Sequence, residues 1–248
     1  MAAKKTSDKK KALIVWGGWD GHEPDKIAAR FKGILEKEGL DVRVETTLDV
    51  FADAEMLMGL HLIVPIWTGG DLDWGYTTNI SKAIASGVGI AGNHGGMCDS
   101  FRNNTEWQFI TGANWVSHPG GMVDYTVNVT HNSSSPIVEG IEDFTVFSEQ
   151  YYLHIDPMIE VLATTRFPNV NYYYASNKCC DMPVVWTKKW GHGRVFYNSL
   201  GHTDNVFDDS PSSQEIMRRG MLWAIEGKDI AIARSLDPSI YENNAKMY

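Results

Sequence analysis

Two glycine-rich turns, each carrying a histidine, are the chemically most suggestive feature of the sequence. The apolar run 12–16 is followed by a turn that contains His22. The apolar run 88–91 is followed by a turn that contains His94. In open α/β sheets, ligands bind at the carboxyl ends of the strands, and glycines there let the backbone approach a ligand closely. The two turns therefore predict one polar pocket built from several strand ends.

Histidine side chains at such positions suit proton transfer or metal binding. The pKa of imidazole lies near about 6.5, so histidine exchanges protons close to neutral pH, and its neutral ring is also a common metal ligand. His154 and Asp156 are two residues apart on a predicted strand and share a face of it. Glu149 begins the same segment, and Tyr151 offers a hydroxyl group. No pair of these residues has a diagnostic metal-ligand spacing, so both chemistries stay open.

The turn at His94 has the pattern of a strand-to-helix elbow that presents a nucleophile. Acyl transfer requires serine or cysteine at its tip, whereas this chain has histidine, and Cys98 lies four residues further on. A cysteine hydrolase is therefore disfavoured.

Aromatic residues at predicted strand ends favour a sugar ligand. Trp19 and Trp67 occupy such positions, where a flat ring can stack on a sugar face. Asp20 and Gly95 belong to the two histidine-bearing turns and are predicted to contact the same ligand.

The elements that would position these residues alternate between strand and helix in the first half. Strands are predicted at 12–16, 42–44, 62–66 and 88–91, with helices at 25–38 and 77–86. This alternation is typical of a parallel sheet covered on both faces. After Gly120 the pattern changes to strands at 122–129, 151–155, 161–165, 183–187 and 194–197, followed by a helix at 214–225.

Composition limits the class of protein. The 248 residues are 43% hydrophobic and 21% charged, which indicates one globular domain, predicted at 12–228 between tails at 1–11 and 229–248. The net charge of −9 makes nucleic acid an unfavourable partner. No apolar run approaches the roughly 20 residues of a membrane span, and three cysteines are too few for a disulfide framework. We expect a cytoplasmic protein.

Five segments, in the same order along the chain, carry a family resemblance. The segments 12–24, 94–97, 148–156, 182–186 and 197–202 resemble the trehalose utilisation (ThuA) family. The resemblance implies an α/β fold of the flavodoxin-like, class I glutamine amidotransferase-like type, a three-layer sandwich with a mostly parallel central sheet. It also implies that His94 replaces the amidotransferase cysteine, so that the chain is not a glutamine amidotransferase. The expected setting is catabolism of trehalose and related disaccharides, as a homo-oligomer and in functional partnership with a sugar dehydrogenase that makes 3-keto-glycosides.

A reaction follows from that setting. A ketone at C3 of a glucosyl unit makes the C2 proton acidic, and a base can remove it. We expect His94 or His154 as the base, with Glu149 orienting it or sharing protons. The outcome is elimination and hydration, or isomerisation. The predicted substrate-binding residues are Trp19, Asp20, His22, Trp67, Gly95, Tyr151 and His202.

Two alternatives stay open at this stage. His22, His202 or a bound cation can stabilise the negative charge that develops, and a divalent metal ion has His22, His94, His154 and His202 as candidate ligands. The other alternative is a sugar-binding or regulatory protein without catalysis, on an amidotransferase-like scaffold that lacks the nucleophile.

Overall fold

The fold was analysed in a computed structural model that describes residues 9–242. Its strands are β1 Lys11–Gly18, β2 Asp41–Glu45, β3 Leu62–Thr68, β4 Gly89–Asn93, β5 Ala113–Ser117, β6 Met122–Val129, β7 Phe144–Glu149, β8 Tyr152–Ile155, β9 Glu160–Phe167, β10 Cys180–Trp190 and β11 Gly193–Asn198. Its α-helices are α1 Pro24–Lys37, α2 Ala54–Met58, α3 Trp74–Ala85, α4 Gly95–Cys98, α5 Thr105–Thr111, α6 Asn205–Asp209 and α7 Pro211–Ala233.

One half of the central sheet is parallel. Nine strands form this sheet in the order β2-β1-β3-β4-β11-β10-β9-β6-β7, and the first five of them run parallel. The strand order changes direction between β1 and β3, and a crevice forms at the carboxyl ends of the strands at such a point. The turns that follow β1 and β4 open at this edge.

The other half of the sheet is antiparallel. Strands β10, β9, β6 and β7 continue the sheet through antiparallel pairings. Strands β5 and β8 form a separate two-stranded antiparallel sheet. The chain therefore has a mixed α/β fold in which four antiparallel strands extend a parallel core.

Apolar side chains fill both faces of the large sheet. On one face, α1 and α7 contribute buried residues such as Phe31 and Met221 to the same core cluster. On the other face, α3 and α5 contribute Ile84 and Trp107 to a second core cluster. The result is three layers, with helices on both sides of the sheet, because strands such as β3 are apolar on both faces.

The observed boundaries differ from the sequence-based ones at the chain ends. Helix α7 continues to Ala233, so the predicted limit of the domain at residue 228 falls inside a helix. Strand β1 already begins at Lys11, and most of the predicted 1–11 tail, like residues 243–248 of the other tail, lies outside the described residues. Within 9–242, no helix combines the length and apolar character needed to cross a membrane.

Candidate functional site

Four polar side chains converge at the crevice edge of the sheet. They are His22, His94, Glu149 and His202, here called the His–Glu cluster. Each contributes one nitrogen or oxygen atom, and these atoms all lie within 4.8 Å of one another. The residues follow β1, β4 and β11 or end β7. Strand ends that are distant in sequence thus build one site.

The backbone at His94 holds its ring in the interior. This residue has a φ of 43°, in the left-handed region that residues other than glycine rarely adopt. It forms the elbow that joins β4 to α4. Its amide donates to the carbonyl of Asn198 at 2.8 Å, and its carbonyl accepts from the Tyr197 hydroxyl at 2.9 Å. The ring Nδ1 lies 2.8 Å from the carbonyl oxygen of Ser199, so Nδ1 carries the proton. His94 is 1% exposed.

The carboxylate of Glu149 is the centre of the site. Its Oε2 lies 3.2 Å from Nε2 of His94 and 3.2 Å from Nδ1 of His202. Nε2 of His22 lies 3.8 Å from the same oxygen. The other oxygen, Oε1, lies 3.5 Å from Nε2 of His118. One buried carboxylate therefore faces four imidazole rings.

Close packing fixes the ring of His22. Its Nδ1 lies 2.7 Å from the hydroxyl oxygen of Thr68, at the end of β3. A side chain at Gly95 would collide with this ring, with a Cβ atom only 2.4 Å from Cε1. The position after His94 thus has to lack a side chain for His22 to reach the carboxylate.

Charged contacts with α1 hold the loop that carries His202. The guanidinium of Arg30 donates two hydrogen bonds to Asp204, at 2.6 and 2.9 Å. The amide of Asp204 also donates to the Glu23 carboxylate at 3.1 Å. Because Glu23 follows His22 directly, the two histidine-bearing segments are tied to each other.

Burial and hydrogen bonding perturb the ionisation of the cluster in opposite ways. Burial lowers the pKa of His94 to about 3, so this ring is neutral at neutral pH. Burial opposes ionisation of Glu149, but the surrounding imidazoles of His202, His22 and His94 outweigh it and hold its pKa well below the ordinary range. A neutral, buried ring thus faces a carboxylate anion.

Aromatic rings surround the cluster. Tyr151 stacks on His94 with ring centroids 4.0 Å apart. Trp19 contacts His22 edge-on at 4.7 Å and is 55% exposed, so its ring links the buried cluster to the protein surface. Trp67 is half-buried instead, and its ring packs where side chains at Gly17 or Gly70 would clash. Asp20, next to Trp19, is exposed.

The position of His154 differs from the sequence-based prediction. It is exposed on β8, opposite Asn114 of β5, and it lines a separate cavity of about 320 Å³. Asp156, which was expected to share its face, forms an ion pair with Lys188. His154 is not part of the His–Glu cluster, because β8 turns away into the small two-stranded sheet after Tyr151 enters the core.

His118, which is not among the candidate residues named from the sequence, has its ring in contact with Glu149. It follows β5, a strand that the hydrophobic pattern did not reveal. Its side chain is 37% exposed, the largest exposed fraction among the four rings that face the carboxylate. Its Nδ1 has no hydrogen-bond partner within residues 9–242. A histidine directly after a strand could have indicated this site residue, but β5 had to be recognised as a strand first.

The arrangement can do two kinds of chemistry. The cluster offers one ligand atom from each of its four side chains and can hold a metal ion. The Glu149–His118 contact resembles the carboxylate–imidazole pairs that orient a general base. The thiol of Cys98 fits neither purpose, since it is buried and burial raises its pKa.

Known structures share the fold at low sequence identity. A ThuA-like protein from Parabacteroides merdae is 20% identical, with a TM-score of 0.68 over 89% of this chain and 91% of that one. A ThuA-like protein from Bacteroides uniformis is 16% identical, with a TM-score of 0.69 over 97% and 100%. A protein of Salmonella typhimurium described as cytoplasmic is 14% identical, with a TM-score of 0.58 over 89% and 99%.

The sequence itself gives the family. No curated protein matches the chain at a significant level. The family model for ThuA, described as trehalose utilisation, matches residues 11–224, which include every member of the His–Glu cluster. The chain therefore belongs to the ThuA family.

Proposed function

We propose that the protein is an enzyme of trehalose and related disaccharide catabolism that removes a proton next to the ketone of a 3-keto-disaccharide. The family supports the disaccharide setting. The observation that carries the chemistry is the buried Glu149 carboxylate, which faces imidazole rings through both of its oxygens. Such a centre can accept a proton on one side and stabilise negative charge on the other.

The proposed reaction starts at C2 of the oxidised sugar. The C2–H bond breaks, its proton passes to the base, and its electron pair forms an enolate with the C3 carbonyl. When the carbonyl re-forms, the bond from C1 to the glycosidic oxygen breaks and a C1–C2 double bond remains. The departing oxygen takes up the proton. Water can then add across the double bond, while return of the proton to another carbon gives isomerisation instead.

His118 is the best-placed base. Its Nε2 lies 3.5 Å from Oε1 of Glu149, and its buried Nδ1 has no hydrogen-bond partner within residues 9–242, so Nδ1 is left to take up the substrate proton. The side chain is half-exposed, and a change of its rotamer would be needed to bring the buried Nδ1 to the substrate. His94 is unsuited to this role despite the sequence-based expectation, because its ring is 1% exposed, with Nδ1 directed at Ser199 and Nε2 at Glu149 in the interior. His22 and His202 would stabilise the negative charge that develops on the substrate oxygen.

Trp19 supports binding of a sugar. Its exposed ring stands beside both His22 and His202, with centroids 4.7 and 6.5 Å away. A pyranose ring stacked on it would place its hydroxyl and carbonyl groups next to the cluster.

The deciding experiment uses 3-keto-trehalose in deuterated water. We expect the purified protein to release glucose or to incorporate deuterium at C2, and His118→Asn to lower the rate about 100-fold. The matched control is His131→Asn, an exposed histidine that pairs with Asp143 away from the cluster. Absence of both product and deuterium with the unaltered protein would refute the proposal.

A second candidate is a sugar-binding protein without turnover. It is favoured by the burial of His94, which sits at the nucleophile position of the elbow but directs both of its nitrogens into the interior, at Ser199 and Glu149. A binder would show saturable thermal stabilisation by trehalose or its 3-keto form, and His118→Asn would change affinity only.

Membership of the ThuA family also supports a cellular location and partners for the proposed enzyme. We place the protein in the cytoplasm, as a homo-oligomer that receives its substrate from a sugar dehydrogenase. The order of the five parallel strands supports a flavodoxin-like, amidotransferase-like interpretation of the fold.

A further inference from the structure

We propose that the His–Glu cluster binds one divalent late first-row metal ion, of which zinc is the type, through Nε2 of His22, Nε2 of His94, Oε2 of Glu149 and Nδ1 of His202. The proposal that a metal ion binds here is independent of the proposed function. A role of that ion in the reaction rests on the proposed function.

The first argument is the spacing of the ligand atoms. Oε2 of Glu149, Nε2 of His94 and Nδ1 of His202 form a triangle with sides of 3.2, 3.2 and 3.4 Å. Zinc bonds of roughly 2.0–2.2 Å in tetrahedral geometry place ligand atoms about 3.4 Å apart. Nε2 of His22 lies 3.8 Å from Oε2 and within 4.8 Å of the other two atoms, so it completes the set once its ring moves inward.

The second argument concerns the hydrogen atoms of His94. Because Nδ1 donates to the carbonyl of Ser199, a neutral ring has only a lone pair at Nε2. That lone pair lies 3.2 Å from Oε2 of the Glu149 carboxylate, which is also an acceptor. Two buried acceptors at this distance repel each other unless a donor or a cation lies between them. The nearest donor candidate within residues 9–242, Nδ1 of His202, lies 3.4 Å from Nε2 and 3.2 Å from Oε2 and cannot point one N–H squarely at both. A metal ion satisfies both without requiring a buried imidazolium.

The third argument is the support behind the ligands. Metal-binding histidines typically engage their second nitrogen with a carbonyl, hydroxyl or carboxylate, which fixes the direction of the ligating lone pair. His94 does so with Ser199 and His22 with Thr68. Glu149 uses its remaining oxygen for His118. Three of the four ligands are thus oriented by a second polar contact.

The donor set selects the class of ion. Three imidazole nitrogens and one carboxylate oxygen suit zinc, cobalt or a similar ion, whereas magnesium and calcium prefer oxygen ligands. The cluster contains no cysteine, unlike most structural zinc sites. Trp19 is 55% exposed beside His22, so a substrate bound on its ring would lie next to the ion, which would stabilise the enolate charge.

The test measures metal binding directly. Full-length protein is stripped with a chelator, dialysed and titrated with Zn²⁺ or Co²⁺, and bound metal is counted by elemental analysis. We expect one ion per chain, a metal-dependent rise in melting temperature, and the strong visible absorption of four-coordinate Co²⁺. Less than about 0.1 ion per chain after titration, without a thermal shift, would overturn the proposal.

Variants of the cluster residues test whether each residue binds the metal or only supports the fold. Glu149→Gln and His202→Asn should weaken metal affinity by at least about 100-fold, and Thr68→Val by about 10- to 100-fold. The exposed His154→Asn is the matched control and should leave affinity unchanged. Circular dichroism identifies any variant that fails to fold, and Thr68→Val, which removes no ligand, then carries the test. Unchanged affinity in all folded cluster variants would contradict the site.

The outcomes for the two proposals are distinguishable. Stoichiometric metal without turnover of 3-keto-trehalose would refute the proposed function and leave the metal site standing. Full turnover by chelator-stripped protein that takes up no ion would refute the metal site and leave the function standing.

Discussion

Gly95 and His22 are in direct contact across the crevice: a methyl group at position 95 would lie 2.4 Å from Cε1 of the imidazole and 2.7 Å from the hydroxyl oxygen of Thr68. We therefore expect Gly95→Ala to displace the His22 ring from Glu149. Because a misplacement of about 1 Å can cost about 100-fold in rate, turnover or metal affinity should fall by roughly that factor. Enzyme assays and metal titration of the variant measure it.

Gly33→Ala is the control for this substitution. Gly33 lies within α1, and a methyl group there meets no atom within 4 Å. Alanine in a helix interior is favoured over glycine by about 0.5–1 kcal/mol, so this variant should be slightly more stable and fully active. Equal activity of the two variants would show that the Gly95–His22 contact does not matter.

The low pKa of His94 makes folding stability depend on pH. Burial sets this pKa at about 3, below the ordinary value of 6.5, so between these values the unfolded chain takes up a proton that the folded chain does not. The contribution is complete above pH 6.5 and is lost as the pH falls towards 3, by up to about 1.4 kcal/mol per pH unit. Urea unfolding of metal-free protein at pH 7.5 and 5 measures the change.

His61 serves as the comparison for this pH effect. Burial also lowers its pKa, but it is only half-buried, near the amino end of β1, where its Nδ1 accepts from the amide of Lys11. His61→Asn should therefore remove a smaller part of the pH dependence than His94→Gln. Identical unfolding free energies at pH 7.5 and 5 in the unaltered protein would contradict the assignment.

We expect the exposed cysteine to react with alkylating reagents and the buried cysteine not to react. Burial raises the pKa of Cys98, so its thiolate is scarce, while Cys179 is exposed. Native protein treated with iodoacetamide at pH 8 should carry the label at Cys179 and not at Cys98, as read by peptide mass spectrometry. Labelling of Cys98 in urea confirms that the reagent works. Rapid native labelling of Cys98 would mean that the core beneath the elbow opens readily.

Trp19 offers a test of sugar binding that spares the core. Since its ring is 55% exposed, Trp19→Ala should change stability by less than about 0.5 kcal/mol but raise KM for the keto-disaccharide about 10-fold. Trp74, 53% exposed at the start of α3, is the control, and Trp74→Ala should leave KM unchanged. The same KM shift in both variants would point to a general surface effect rather than to stacking at the site.

The sequence allowed much of the parallel half to be predicted, because its strands are short apolar runs and its helices have regular apolar faces. Helix α1, for example, begins at Pro24 and buries Ile27, Phe31 and Leu35 on one side, as the spacing indicates. The predicted strands 12–16, 62–66 and 88–91 all fall on observed strands. The ThuA family assignment from the five segments is confirmed by the family match.

The elements that could not be predicted from the sequence belong to the antiparallel half of the large sheet and to the small sheet. Strand β7 carries Glu149 but exposes Phe147, so its pattern lacks a clean apolar face. Strand β5 precedes His118 and pairs only with β8 in a small sheet, where burial is partial. His154 was misassigned for a related reason: alternation along a strand tells which residues share a face, but not which sheet the strand joins.

The four members of the His–Glu cluster are spread from position 22 to position 202 of the chain. During synthesis the first two can be in place while the carboxylate between them has not yet been translated. A nascent chain that stops before residue 202 thus holds polar side chains in an unfinished interior, where they lack their partners. His202 follows β11, the strand that pairs with β4, so the last member of the site is synthesised directly after the strand that links the two halves of the sheet.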